Sequence, residues 1–199
     1  VNPERLISQL LTHPLISLAA DSVTAVRADD ADGWVVQTAQ QGQVHAEHLV
    51  IANAGQSTSL LAPLLPQAER LLTMDKLNGQ SSVVHAAALG TPVSCIVAGQ
   101  GYVLPVDKKT YVVGSTYEDQ SFMPASQAHT YIMNKVSELI PIGVSAPALS
   151  MWQGQRAALA DHLPVVAQPM PGLWLNVGYG SYGFSWAALA ADFISTNLA

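Results

Sequence analysis

The sequence Leu173-Trp174-Leu175-Asn176-Val177 is an apolar run that ends in Gly178-Tyr179-Gly180-Ser181-Tyr182-Gly183, three glycines within six residues. This stretch constrains the fold more than any other. The run has the length and content of a buried strand. Phe184, Trp186, Leu189, Ala190, Phe193, Ile194 and Leu198 then recur near helical spacing. A strand, a glycine turn and a helix start, in that order, make a seat for negative charge. The first-turn amides lack partners and the helix dipole is positive there. The same order also serves as a plain strand-to-helix connection.

With 199 residues, 49% hydrophobic and only 11% charged, the chain can bury one large core or two small ones. No apolar run approaches the roughly 20 residues of a membrane helix, so no membrane contact is expected. The chain begins at Val1 rather than Met and has no basic segment like that of a signal peptide, which suggests a piece of a longer protein. Cys95 is the single cysteine, which rules out an internal disulfide and suggests a reducing, cytoplasmic setting. A net charge of −6 with only 8 Lys and Arg excludes broad contact with a nucleic-acid backbone. Any RNA contact must rest on a small basic patch.

Pro3 opens a helix over residues 3–12, with Leu6, Ile7, Leu10 and Leu11 on one face. Residues 22–28 and 34–38 read as strands joined by an Asp-rich turn at 29–33, and 44–52 as a third strand of the same meander. Leu49-Val50-Ile51-Ala52 runs into Asn53-Ala54-Gly55, with Ser57 or Thr58 placed to cap a helix through Leu60 and Leu61. Ligands of open α/β sheets lie beyond such strand ends, although a simple connection has the same pattern. Residues 63–71 read as a connector. Residues 81–88, 93–98, 102–105 and 110–116 read as an antiparallel sheet, and 126–140 as a helix ended by Pro141.

The six histidines do not gather with acids or Cys95 at ligand spacing, so no metal is expected. Ser181 lacks the spacing of a nucleophile elbow. Arg156 is one of four arginines and lies among small and apolar residues in Gly154-Gln155-Arg156-Ala157-Ala158-Leu159-Ala160-Asp161. A partly buried guanidinium needs an anion. That anion is either a ligand carboxylate or Asp161 in an internal ion pair.

Several blocks stand in one order: Asn53-Ala54-Gly55, Gly79-Gln80, Gly101-Tyr102-Val103-Leu104-Pro105, Val113-Gly114-Ser115-Thr116-Tyr117-Glu118, Gly154-Gln155-Arg156 with Asp161-His162-Leu163-Pro164, and the final glycine turn. Together they resemble the FAD-dependent amine and amino-acid oxidases of the D-amino-acid oxidase, glycine oxidase and sarcosine oxidase type. Within that family they look most like the oxidase half of bifunctional tRNA wobble-uridine modification enzymes. The resemblance implies a mixed α/β (α+β) fold. An incomplete FAD-binding domain would comprise residues 1–70 and 150–199, and an antiparallel-sheet substrate domain with a helix residues 71–149. The family's amino-terminal Gly-x-Gly-x-x-Gly turn has no counterpart in this sequence, which implies a carboxyl-side fragment.

By the same resemblance, Val23 meets the adenine end of FAD, and Ala52, Asn53 and Gly55 form a turn near the cofactor. Gly178, Gly180, Ser181, Tyr182 and Gly183 face the flavin ring, where amides would stabilise charge at the N1–C2 edge. Arg156 holds the substrate carboxylate and Tyr102 is an aromatic near the substrate. The tRNA enzymes usually carry arginine where this chain has Tyr182, so a cation is lost there. The implied reaction oxidises the C–N bond of a carboxymethylated secondary amine. Hydride passes to flavin, O2 reoxidises the flavin, and carboxymethyl leaves a modified tRNA uridine. A methyltransferase domain would share the parent chain. One alternative is oxidation of a free amino acid such as glycine, sarcosine or a D-amino acid. Another is a folded, non-catalytic module that does not hold FAD.

Overall fold

The computed structural model describes residues 2–29, 33–90, 92–118, 121–141 and 146–198. The expected Asp-rich turn lies largely outside the described residues. Helix α1 (Pro3–Leu10) opens with Asn2, whose side chain accepts from the Arg5 amide at 3.0 Å and so satisfies a first-turn donor. β1 (Val23–Asp29), β2 (Gly33–Thr38) and β3 (Gln43–Ala46) form an antiparallel sheet. The segment expected to be one strand over 44–52 is two. Glu47 and His48 interrupt it, and β4 (Leu49–Ile51) leaves the meander to pair in parallel with β11 (Leu173–Val177). β10 (Val165–Met170) flanks β11 on its other side. Helices α2 (Ser57–Leu61) and α3 (Ala68–Leu71) lie in the segment after β4. The expected cap does not form: the Ser57 hydroxyl donates to Asn53 Oδ1 at 2.6 Å and that of Thr58 to the Leu72 carbonyl at 3.0 Å. Val26, Trp34, Ile51, Leu61, Leu173 and Leu175 pack into one core that joins these sheets and helices.

A second core belongs to a five-stranded sheet, in the order β6 (Val97–Ala98), β7 (Tyr102–Pro105), β8 (Thr110–Gly114), β5 (Met74–His85), β9 (Ala148–Leu159). Helix α4 (Ala125–Ser137) covers one face of it, where Ile132, Met133 and Val136 meet Val84, Val103 and Val113. β5 and β9 pair over nearly their whole length, from Met74↔Leu159 to Val84↔Ala148. β9 therefore carries the chain out of this sheet toward β10, β11 and helix α5 (Gly183–Thr196).

Side chains alternate along a strand, and cross-strand partners share a face. Leu77, Gly79 and Ser81 of β5 thus share the face opposite α4 with Arg156, Gly154 and Trp152 of β9, and with Gly114 and Tyr102. Three large side chains on this face lie over glycines. An added Cβ would come within 2.4 Å of Arg156 Nη1 at Gly79, 2.3 Å of the Trp152 ring at Gly154, and 2.5 Å of the Tyr102 ring at Gly114.

Candidate active site

β4 and β11 run in parallel, so the segments after them emerge at the same edge of their sheet. There, a Cβ on Gly55 would lie 3.6 Å from the Ala157 Cβ, and one on Gly180 3.3 Å from the Ala158 Cβ. The Gly180 amide donates to the Ala157 carbonyl at 3.1 Å, and Ala158 bridges to Tyr179. Two small residues at the end of β9 therefore let both turns and the substrate-side sheet converge. Gly178 and Gly180 have φ of +82° and +53°, a left-handed backbone that favours glycine.

A cavity of about 400 Å³ opens between the sheet and the glycine turn. Leu77, Tyr117 and Arg156 line it on the sheet side, Ala158 and His162 at the end of β9, and residues 179–182 on the turn side. Arg156 Nη1 is buried here without a hydrogen-bond partner. Its guanidinium carbon lies 5.0 Å from the centre of the Tyr117 ring, within cation–π range. Asp161 is not its partner; that carboxylate accepts the Leu163 amide at 3.0 Å, and the ion pairs among the described residues involve His45 with Asp29 and His48 with Glu47. A buried guanidinium nitrogen with nothing to donate to is costly, and an entering anion relieves that cost. A second cavity of similar volume, between Pro164, Val166 and the apolar face of α5, holds no comparable polar group.

Tyr117 is held in place from behind. Thr116, the Met123 amide and Gln80 all donate to the buried Glu118 carboxylate, and Asn78 and Glu118 exchange backbone bonds of 2.9 and 3.0 Å. Burial alone would raise the Glu118 pKa; the donors from Thr116, Met123 and Gln80 outweigh it and hold it below the ordinary carboxylate value. Burial raises the Tyr179 phenol, which remains a proton donor and bonds Asn176 Oδ1.

The cavity brings together Arg156, Gly180, Ser181 and Tyr182, with Gly178 and Gly183 in the same turn. Gly55, in the turn that also holds Ala52 and Asn53, adjoins through Ala157. Tyr102 shares the face of Arg156 but lies on β7, three strands from β9, which is about 14 Å across the sheet at roughly 4.8 Å per strand. Val23 starts β1 and does not line this cavity. Tyr117 and His162 line the cavity but carry no role in the sequence reading. Both lie in blocks that carry the resemblance, and their approach to Arg156 depends on chain reversal that no local pattern encodes.

A family model described as FAD dependent oxidoreductase (DAO) matches residues 2–196. The chain belongs to this family. Its relatives include the tRNA 5-methylaminomethyl-2-thiouridine biosynthesis bifunctional protein MnmC of Burkholderia multivorans, 31% identical over 180 residues, covering 75% of this chain and 26% of the relative. MnmC of Albidiferax ferrireducens is 27% identical over 231 residues, covering 99% and 37%. Among solved structures, glycine oxidase from Geobacillus kaustophilus superposes with a TM-score of 0.70 at 21% identity, covering 88% of this chain and 47% of that one. Iminodiacetate oxidase from Chelativorans sp. BNC1 gives 0.68 at 21%, covering 89% and 48%. The chain thus spans well under half the length of these MnmC relatives and about half that of the solved oxidases. The mixed α/β architecture with antiparallel sheets is that of DAO-type oxidases.

The residues beside the cavity fit the ring end of FAD. Among the described residues, the amides of Gly183 and Phe184 at the start of α5 have no backbone acceptor, and the turn before them is glycine-lined. Such donors suit the carbonyl edge of a flavin. No helix among the described residues is long and apolar enough to cross a membrane.

Proposed function

We propose that this chain forms the flavin-ring and substrate end of an oxidase of carboxymethylated secondary amines, with carboxymethyl on a modified tRNA uridine as the group removed. One observation carries the reading: Arg156, whose Nη1 is buried without a hydrogen-bond partner, lines a cavity whose other wall is the 179–182 turn. Arg156 takes the substrate carboxylate, and Tyr117 and Gly79 keep the guanidinium flat against the sheet. That anchor turns the adjacent methylene toward the glycine turn. Bound FAD supplies the two-electron acceptor. The methylene loses a hydride and the nitrogen a proton, which leaves an imine. Water then adds across the imine and splits it into the primary amine and glyoxylate. Tyr179, kept as a neutral phenol, and the apolar Leu77 limit water around the reacting carbon.

The MnmC relatives support the tRNA substrate, and a methyltransferase domain in the same parent chain belongs to this proposal. The two-part division into residues 1–70 with 150–199 and 71–149 belongs to it too, with β9 as the element that links the parts. The names of the solved neighbours favour a second reading, a free amino acid or iminodiacetate as substrate. Glyoxylate release by the FAD-supplied protein from 5-carboxymethylaminomethyluridine, sarcosine and glycine separates the two. The proposal expects the nucleoside to be preferred and Arg156→Ala to lower glyoxylate release from it. Equal turnover of all three, or an unchanged Arg156→Ala variant, refutes it.

A further inference from the structure

Arg156 is not the only cation at Tyr117. Lys135 of α4 lies beside the segment just after β8, where its Nζ is 5.9 Å from the Tyr117 ring centre and 5.0 Å from that of Tyr131. The order Arg156, Tyr117, Lys135, Tyr131 is an alternating track of cations and aromatic rings. It leads from the cavity to the outer surface of α4. Tyr117 and Tyr131 are 61% and 45% exposed, too open for rings that serve only as core. Neither cation forms an ion pair with a carboxylate among the described residues. Among the described residues, the one hydrogen bond of Lys135 Nζ is to the Ser115 carbonyl, at 3.5 Å. In a chain of net charge −6 with 8 basic residues, two cations flanking one ring, neither paired with a carboxylate among the described residues, are a local exception. Beside Tyr131, a shallow groove on α4 is lined by Ser126, Gln127, Thr130 and Asn134, all able to bond base edges.

We propose that the Tyr117–Lys135–Tyr131 track binds single-stranded RNA next to the nucleotide whose carboxylate Arg156 holds. The tyrosines stack bases, Lys135 takes a phosphate, and the α4 groove takes a base edge. Stacking platforms interleaved with cations are how single strands are held without a broad basic surface, which this chain lacks. This assignment rests on the tRNA reading above and names the surface that would separate a tRNA oxidase from one for free amino acids.

The test is fluorescence anisotropy of a labelled, unmodified anticodon stem-loop with the full chain, which needs neither flavin nor turnover. Tyr131→Ala is expected to weaken binding about tenfold and Tyr131→Phe to restore it. Lys135→Ala is expected to lower the slope of log affinity against log salt by about 0.7, and Lys135→Arg to retain it. Unchanged melting temperatures exclude unfolding as the cause. Equal binding of the variants, equal loss toward polyglutamate, or no binding by the unaltered chain overturns the inference. The outcomes keep the two claims apart. RNA held by the track with no glyoxylate from the modified nucleoside defeats the substrate reading alone. Nucleoside turnover with no track-dependent RNA binding defeats this inference alone.

Discussion

Gly79→Ala is predicted to disable the carboxylate seat while leaving the sheet intact. The new Cβ would lie 2.4 Å from Arg156 Nη1 and 3.0 Å from both Cζ and Nη2. Ordinary contact begins near 3.4 Å, so the guanidinium must retreat by roughly 1 Å, a displacement that can cost on the order of a hundredfold in a positioned site. The clash falls on the free end of a flexible side chain, and Gly79 does not have a left-handed φ, so alanine fits the backbone. Stability should change by no more than about 1 kcal/mol, since alanine also restricts the unfolded chain. Losing one good charge-assisted bond to the ligand amounts to about 1.5–3 kcal/mol. Calorimetric titration with 5-carboxymethylaminomethyluridine should therefore show affinity lowered about 10- to 100-fold, with a melting temperature within about 4 °C of the unaltered chain. Unchanged affinity would mean that Arg156 is not held over Gly79 for ligand binding. A large fall in melting temperature would mean that the glycine is needed for pairing in β5.

Tyr117→Ala should weaken the same ligand by about 0.5–2 kcal/mol through loss of the ring against Arg156, and Tyr117→Phe should not, as calorimetry will show. The folded-state pKa of Glu118 is lowered, so its contribution is fully present above the unfolded value of about 4.5 and is lost as pH falls through the folded one. The melting-temperature gap between the unaltered chain and Glu118→Gln should therefore be widest near pH 6 and shrink toward pH 3; a gap that grows on acidification contradicts this. Gly180→Ala should cost about 1–2 kcal/mol in urea unfolding, because φ is +53° and the new Cβ would meet Ala158 at 3.3 Å.

The strand, glycine turn and long helix at 173–196 were legible because burial, left-handed turns and helical packing each leave a local pattern. The helix over α4 was legible for the same reason, from Ile132 and Val136. β9 was not: its burial does not alternate, since Gly154 and Trp152 on one face are matched to a glycine-lined sheet rather than to a core. The split at Glu47–His48 was hidden because both halves of 44–52 have strand composition, and only the partners differ. Arg156 stood out through its scarcity among small residues. Tyr117 did not, because its place over the guanidinium depends on Glu118 being tied to Asn78 and Gln80 about 40 positions earlier.

The proposed function stands on the Arg156 cavity as a carboxylate seat. The most direct measurement titrates the unaltered chain and Arg156→Ala with 5-carboxymethylaminomethyluridine and with 5-aminomethyluridine, which lacks the carboxylate. The unaltered chain should prefer the carboxylated nucleoside by at least about tenfold, and Arg156→Ala should bind the two alike. Equal affinities in the unaltered chain, or a preference that survives loss of the arginine, would contradict it.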